Sequence, residues 1–502
     1  MQNELPEHEL AIVGSGFAGL GMAIEAKRAG IEDFVVLERA HQLGGTWRDN
    51  HYPGCGCDVP TPLYSYSFAP NPYWSHLYAR SEEIRDYLER CADEFAVREK
   101  IRFGTEVTGA RWDAEAQRWE VEIDGRPALT TRFVVGGFGG LSRPAYPDID
   151  GLEDFAGALF HSAQWDHEVP LAGKRVGVIG TGASAIQLIP QIAKAGAEVT
   201  VFQRTPPWIV PKLDRPIRRP EQQLYAKLPV AQKALRALIF TITEGVGVAI
   251  TRYPRLLAIG EVWARRHMRK AIGDVHLREQ LTPDYRLGCK RILPSNDYYP
   301  ALARDNVELV TAGIDRVTPT GVRAADGADH ELDVLVCGTG FQIEEVFMHL
   351  DVRGRDGITL RDAWAPGIEA HRGTTISGFP NLALLSGPNT GTGSTSQVYM
   401  IEAQIHYALE LMRELRRGQA GAIEPRAEAQ ADYNAWIQKR MQRTVWLRGG
   451  CNSWYLDSAG VNRTLYPGPS SSFWRSLRRV ELAEYRLEPA RRRVSEPVAV
   501  PA

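Results

Sequence analysis

Short uninterrupted apolar runs, each leading into a stretch with helical spacing, recur along the first part of this chain. Leu10-Ala11-Ile12-Val13 reads as a buried parallel strand, because a strand covered on both faces needs no polar alternation. Leu20–Ala29 follows with helical character, Gly30 stops it, and Phe34–Leu37 reads as the next strand. The same order returns at Arg175–Ile179, Ile186–Ala195 and Glu198–Phe202. Between the two units, Ser81–Phe95 predicts a helix. Trp119–Ile123, with charge at alternate positions, and Thr131–Val135 predict a small β-excursion. Leu224–Gln280 has helical character without a strand signal and reads as an insertion. β character resumes at Val307–Val310, Val334–Val336 and Phe379–Leu385, and Glu402–Arg416 and Glu428–Thr444 predict helices. Phe155–Asp166 fits neither period and reads as a hinge between the two βαβ units.

Each unit carries a glycine-rich turn where its first strand meets its helix. The first is Gly14-Ser15-Gly16-Phe17-Ala18-Gly19 and the second Gly180-Thr181-Gly182-Ala183-Ser184-Ala185. Such turns let the backbone approach a pyrophosphate, which the free N–H groups of the helix N-terminus then hold. Glu38 and Arg204 both stand 24 positions after the first glycine of their own turns. A carboxylate there accepts ribose hydroxyls and repels a 2′-phosphate, so Glu38 points to FAD or NAD. Arg204, followed by Thr205, suits a 2′-phosphate and points to NADPH. The pair Gly44-Gly45 beyond the acid, continuing into Thr46-Trp47, is typical of FAD enzymes, whose chain must pass close to the flavin. The glycine turn at Gly136-Gly137 reads as closing the first half of an FAD domain, and that at Gly338-Thr339-Gly340 as a crossing between nucleotide domains. The expected fold is α/β, with two Rossmann-like dinucleotide-binding domains for FAD and NADPH. Residues 1–148 and 339–502 make the FAD domain, 149–212 and 282–338 the NADPH domain, and 213–281 a helical insertion in the latter.

Composition bounds this picture. A chain of 502 residues exceeds one core, and a formal net charge of -2 gives no global electrostatic case for nucleic acid or an anionic membrane. The apolar stretch Ala237–Ile250 is too short to span a bilayer and is interrupted by Glu244. Six cysteines in this length do not make a disulfide framework, and Cys55 and Cys57 suit neither a redox CxxC nor a zinc site, so no metal is expected. Glu4, Glu7 and Glu9 precede the first strand in place of a secretory signal, and the compartment reads as cytoplasmic. The basic tail Arg491–Arg493 reads as a solvated terminus.

Phe155, Gly157, His161, Trp165 and Asp166 match F-x-G-x-x-x-H-x-x-x-W-[P/D], and Gly45, Trp47, Tyr52, Pro53, Gly54 and Asp58 form a second long pattern. Together with the two ordered fingerprints, they make the chain resemble type I Baeyer–Villiger monooxygenases over nearly its whole length. The resemblance implies FAD and NADPH as cofactors and a flavin C4a-peroxide that converts a ketone to an ester or lactone with O2. It implies FAD contacts from Gly14, Gly16, Phe17, Ala18, Gly19, Glu38, Gly45, Thr46, Trp47, Asp58, Tyr64 and Val107. NADPH contacts are implied for Gly180, Thr181, Gly182, Ala183, Ser184, Arg204, Thr205, Lys290 and Trp454. Arg291 resembles the catalytic arginine, Asp58 the carboxylate that orients it, and Trp454 a tryptophan of a C-terminal loop. His161 sits in the hinge and reads as structural. The alternative is an N- or S-oxidising flavin-containing monooxygenase, a group that usually carries Tyr or Phe where this chain has Trp165. A disulfide reductase shares the architecture but needs a redox cysteine pair facing the flavin. A monomer or weak homo-oligomer is expected; the identity of the ketone is not legible in the spacing.

Overall fold

The computed structural model describes residues 7–342 and 348–491; Glu4, Arg492 and Arg493 lie outside the described residues. Two sheets carry the fold. The larger has eight strands, ordered Asp351–Arg353, Val107–Asp113, Arg118–Ile123, Arg126–Gly136, Glu7–Val13, Phe34–Leu37 and Ile101–Arg102, with Leu382–Leu384 also pairing the strand Arg126–Gly136. Its centre is parallel: Leu10 to Val13 pair with Phe34 to Leu37 on one side and with Phe133 to Gly136 on the other. Leu10, Ala11 and Ile12 are fully buried, as an apolar run without alternation requires. The β-excursion is antiparallel and joins this sheet directly.

The smaller sheet has five parallel strands, ordered Val307–Val310, Glu198–Phe202, Arg175–Ile179, Val334–Cys337 and Ala158–His161. The last of these corrects the reading of Phe155–Asp166 as a hinge that fits neither the helix nor the strand period, since part of it is a strand. Ala158 to His161 pair residue by residue with Val334 to Cys337 and form an edge of the sheet. Four residues between two 3-10 turns, Leu152–Asp154 and Ser162–Gln164, are too few to display a period.

The helical insertion leaves the smaller lobe between Ile209–Val210 and Leu293–Pro294, short strands that pair with each other and close its neck. It contains the helices Arg219–Lys227, Pro229–Arg252, Leu257–Ala271 and Val275–Gln280. The second has 24 residues, which corrects the expectation of a stretch too short to span a bilayer. Helix continues through Glu244 because that carboxylate turns inward, where it caps the helix Ser470–Ser476 by accepting from the Ser470 and Ser471 N–H groups. The cysteines hold a further correction. Cys289 and Cys451, 162 positions apart, form a disulfide with a Cα–Cα distance of 6.1 Å, while Cys55, Cys57, Cys91 and Cys337 are free and buried.

Candidate active site

The two glycine-rich turns open into one cavity of about 1360 Å³, larger than the roughly 300–1,000 Å³ of a pocket for one small ligand. The turns are built alike. Gly14 and Gly180 have φ of +95° and +108°, and a Cβ on either would stand 2.7 Å from the Gly137 carbonyl oxygen or 2.6 Å from that of Gly338. Only glycine satisfies both the left-handed backbone and that approach. The helices that follow, Phe17–Arg28 and Ala183–Lys194, have no side-chain N-cap, so their first N–H groups remain available to an anion. Glu38 is buried and fixed: one oxygen accepts from the Ser15 N–H and hydroxyl (2.9 and 2.7 Å), the other from the Ala40 N–H and Arg48 Nη1 (2.9 and 3.0 Å).

The pair Arg291–Asp58 lines the same cavity as the two turns. Arg291 Nε donates to Asp58 Oδ2 at 3.1 Å; the Asp58 side chain is 8% exposed and that of Arg291 48%, facing the cavity. Burial acts to lower the Arg291 pKa, but the Asp58 carboxylate together with Tyr455 and Cys57 more than offsets it and the net shift is upward, so the guanidinium stays charged. Gln187, on the second fingerprint helix, holds the Asp58 segment in place. Its Nε2 donates to Asp58 Oδ1 (3.2 Å) and the Gly56 carbonyl (3.0 Å), while its Oε1 accepts from the Tyr52 hydroxyl (3.0 Å) and the Gly56 N–H (3.2 Å). Gly54 permits this contact: its φ is +85°, and a Cβ there would lie 2.7 Å from the Gln187 carbonyl oxygen.

At the far end, Arg204, Thr205 and Lys290 line the cavity together. The Thr181 hydroxyl donates to the Thr205 carbonyl at 3.1 Å, tying this segment to the second turn. Lys290 Nζ sits 5.1 Å from the Tyr285 ring centroid, and its pKa is lowered by burial and by the nearby Arg204. Two cations that repel one another form a place for a dianion such as a 2′-phosphate. Trp454, 56% exposed, leans on the buried Tyr455 with ring centroids 4.4 Å apart, and both line the cavity.

Gly16, Phe17, Ala18, Gly45, Thr46, Trp47, Tyr64, Val107, Gly182, Ala183 and Ser184 also line the cavity, and the Trp47 indole donates to the Tyr64 hydroxyl at 3.2 Å. Gly19 does not line it; it packs against the Gly14 carbonyl instead. Phe155, Gly157, His161, Trp165 and Asp166 lie outside it as well. Phe155, His161 and Trp165 are buried. Trp165 packs edge-on against Phe160, and His161 Nδ1 accepts from the Ala163 N–H at 3.1 Å. Sequence reasoning missed Gln187, Arg48 and Tyr455. The partners of Gln187 are more than a hundred positions away, and Arg48 and Tyr455, whose partners Glu38 and Trp454 are near in sequence, stand in no spacing that marks them.

Among the described residues no group of three His, Cys, Asp or Glu is placed to hold a metal ion. Burial pushes the Cys55 thiol up to about 11 and Cys57 up to about 12, so neither supplies a thiolate for disulfide exchange. A two-lobed α/β protein with paired dinucleotide turns, two clustered cations and an oriented arginine lining one shared cavity has the make-up of a flavoprotein oxidoreductase with separate flavin and nicotinamide sites. A family model described as pyridine nucleotide-disulphide oxidoreductase matches residues 11–217. A Baeyer–Villiger monooxygenase of Streptomyces coelicolor is 50% identical over 490 residues, covering 97% of this chain and 94% of that one. An oxidized steroid monooxygenase bound to NADP has a TM-score of 0.86 at 31% identity, covering 96% of this chain and all of that one. OTEMO in complex with FAD and NADP has a TM-score of 0.85 at 28% identity, covering 97% of this chain and all of that one. The chain belongs to the Baeyer–Villiger monooxygenase family, and its cofactors are FAD and NADPH.

Proposed function

We propose that this chain oxidises a ketone at the cavity between its lobes, with Arg291 as the catalytic cation and Asp58 as its positioning carboxylate. When bound, NADPH supplies the hydride and FAD the oxygen-activating chemistry. The first turn with Glu38, Gly45, Thr46, Trp47, Tyr64 and Val107 would hold FAD. The second turn with Arg204, Thr205 and Lys290 would hold NADPH, Trp454 closing over that end. The domain boundaries given above follow from the same assignment.

The observation that carries this reading is the Arg291–Asp58 contact at 3.1 Å, made through Nε on the wall of the shared cavity. Among the described residues, that geometry leaves both terminal amino groups of the guanidinium free to hold an oxygen as negative charge develops on it. Asp58 fixes the plane of the fork and balances its charge before substrate arrives. His161 does no proton transfer: burial lowers its pKa to about 4, and it stays neutral at working pH. The organic substrate is a small ketone, the co-substrate O2, and the protein a cytoplasmic monomer or weak homo-oligomer. A panel of linear, cyclic and aromatic ketones beside a sulfide, turned over with NADPH under labelled O2, tests the reading. Label in an ester or lactone is the expected result; label in the sulfoxide alone would overturn it.

A further inference from the structure

The helix Pro229–Arg252 is amphipathic in the reverse sense for a surface helix. Its two mid-helix charges face inward. Arg236 Nη1 donates to the carbonyls of Pro62 and Ser65 (2.7 and 2.9 Å) and Nη2 stands 3.6 Å from Glu402, while Glu244 caps the helix Ser470–Ser476. Its outer face instead presents Val230, Ala234, Leu238, Ile242 and Val246 at four-residue steps, all exposed, Leu238 and Ile242 at 58% and 60%. Between Lys233 and Arg252 this face exposes no charged side chain. Exposed apolar residues continue past Tyr253 and Leu256 to Ile259, Val262 and Trp263 on the next helix. An exposed apolar row of this length, flanked by cations, marks a docking site.

Charge selects the occupant. From Lys227 to Ala271 the chain carries nine Lys and Arg against two Glu, although its formal net charge is -2. Glu244 is engaged as a cap and Glu261 pairs with Arg286. Lys233, Arg252, Arg255, Arg266, Arg269 and Lys270 are exposed and form no ion pair among the described residues. We propose that this face docks on an anionic phospholipid surface, the apolar row entering the headgroup boundary and the flanking cations meeting lipid phosphates. A second copy of the chain fits poorly, since an isologous contact turns the row antiparallel on itself and brings Lys233 against Arg252. Spanning the bilayer is excluded by Arg236 and Glu244, both bound back into the protein.

The inner side of the same helix touches the catalytic cavity. Ile250 packs beside Gly393, a side chain on Gly247 would meet Ser394, and Gly393 and Ser394 line the cavity. Docking therefore sets one wall of the cavity next to the lipid phase, where an apolar ketone concentrates; this consequence, unlike the docking, rests on the ketone-oxidising reading.

The test is sedimentation of the FAD-loaded full chain with vesicles of phosphatidylcholine alone or mixed with phosphatidylglycerol. Binding is expected to the mixed vesicles and to fall by about tenfold or more at high salt. The Leu238→Ser/Ile242→Ser/Val246→Ser and Arg252→Gln/Arg255→Gln variants should lose binding to a similar degree while retaining flavin and turnover of a water-soluble ketone. No binding to anionic vesicles, or equal binding by wild type and the triple variant, overturns the proposal. So does a wild-type dimer in sedimentation equilibrium that the triple variant abolishes, which would give the face to a second copy.

Discussion

Replacing Arg291 by alanine separates the two halves of the proposed cycle. Asp58 occupies Nε, and among the described residues no other partner binds the two terminal amino groups. A preorganised donor aimed at developing negative charge is worth about 10²–10³ in rate, so losing both should cost ester formation about 10⁴-fold or more. That corresponds to about 5 kcal/mol of transition-state stabilisation. The buried Asp58 keeps a side-chain donor in Gln187 Nε2, at 3.2 Å, which limits the loss of fold stability to about 1–3 kcal/mol. Arg204 and Lys290 are untouched, so NADPH should still bind and reduce the flavin. Anaerobic stopped-flow absorbance follows the reduction; after admission of oxygen and ketone, chromatography measures ester against NADPH consumed. Normal bleaching with the ester lost is the expected result. Ester formation within about tenfold of wild type would refute the role given to the guanidinium. Arg291→Lys keeps the charge but not the fork, and should recover only a small part of the activity.

Other consequences can be checked independently. Arg204→Ala and Lys290→Ala should each raise the KM for NADPH by about 10–100-fold while affecting NADH little, and equal kcat/KM for the two cofactors in the wild type would contradict the 2′-phosphate site. Gln187→Leu removes four hydrogen bonds between the second fingerprint helix and the Tyr52–Asp58 segment. It should lower the ester formed per NADPH oxidised with flavin content unchanged, and undisturbed coupling would mean Gln187 does not position Asp58. Burial lowers the His161 pKa from 6.5 to about 4, so between those values the unfolded chain binds more protons than the folded one. The stability held by neutral His161 is thus complete above pH 6.5 and falls as pH drops toward 4, by up to about 3 kcal/mol. His161→Phe should flatten the decline of Tm over that interval; an unchanged slope would exonerate this histidine.

What the chain disclosed about itself depended on how local the cause was. Gly14 and Gly180 could be read because strand, turn and helix are contiguous, and Glu38 and Arg204 because a βαβ unit fixes where its second strand ends. Arg291 and Asp58 were reached through resemblance to a family, since 233 positions separate them. Ala158–His161 was missed as a strand because its pairing with Val334–Cys337 lies far ahead in the sequence. The interruption attributed to Glu244 was a misjudgement of direction: a charge ends an apolar face only if it points the same way, and this one points inward. Gln187 resembles any polar residue on a helix until the Tyr52–Asp58 segment folds against it.

The Cys289–Cys451 bond has a mechanical consequence. Cys289 immediately precedes Lys290 and Arg291, and Cys451 lies three positions before Trp454. Three residues of fully extended chain reach about 10–11 Å. While the bond holds, the indole and the guanidinium are hung from one peg, and the loop cannot lift away from the site. Any opening of that end of the cavity has to be a rotation about the sulfur bridge, with a radius set by three residues.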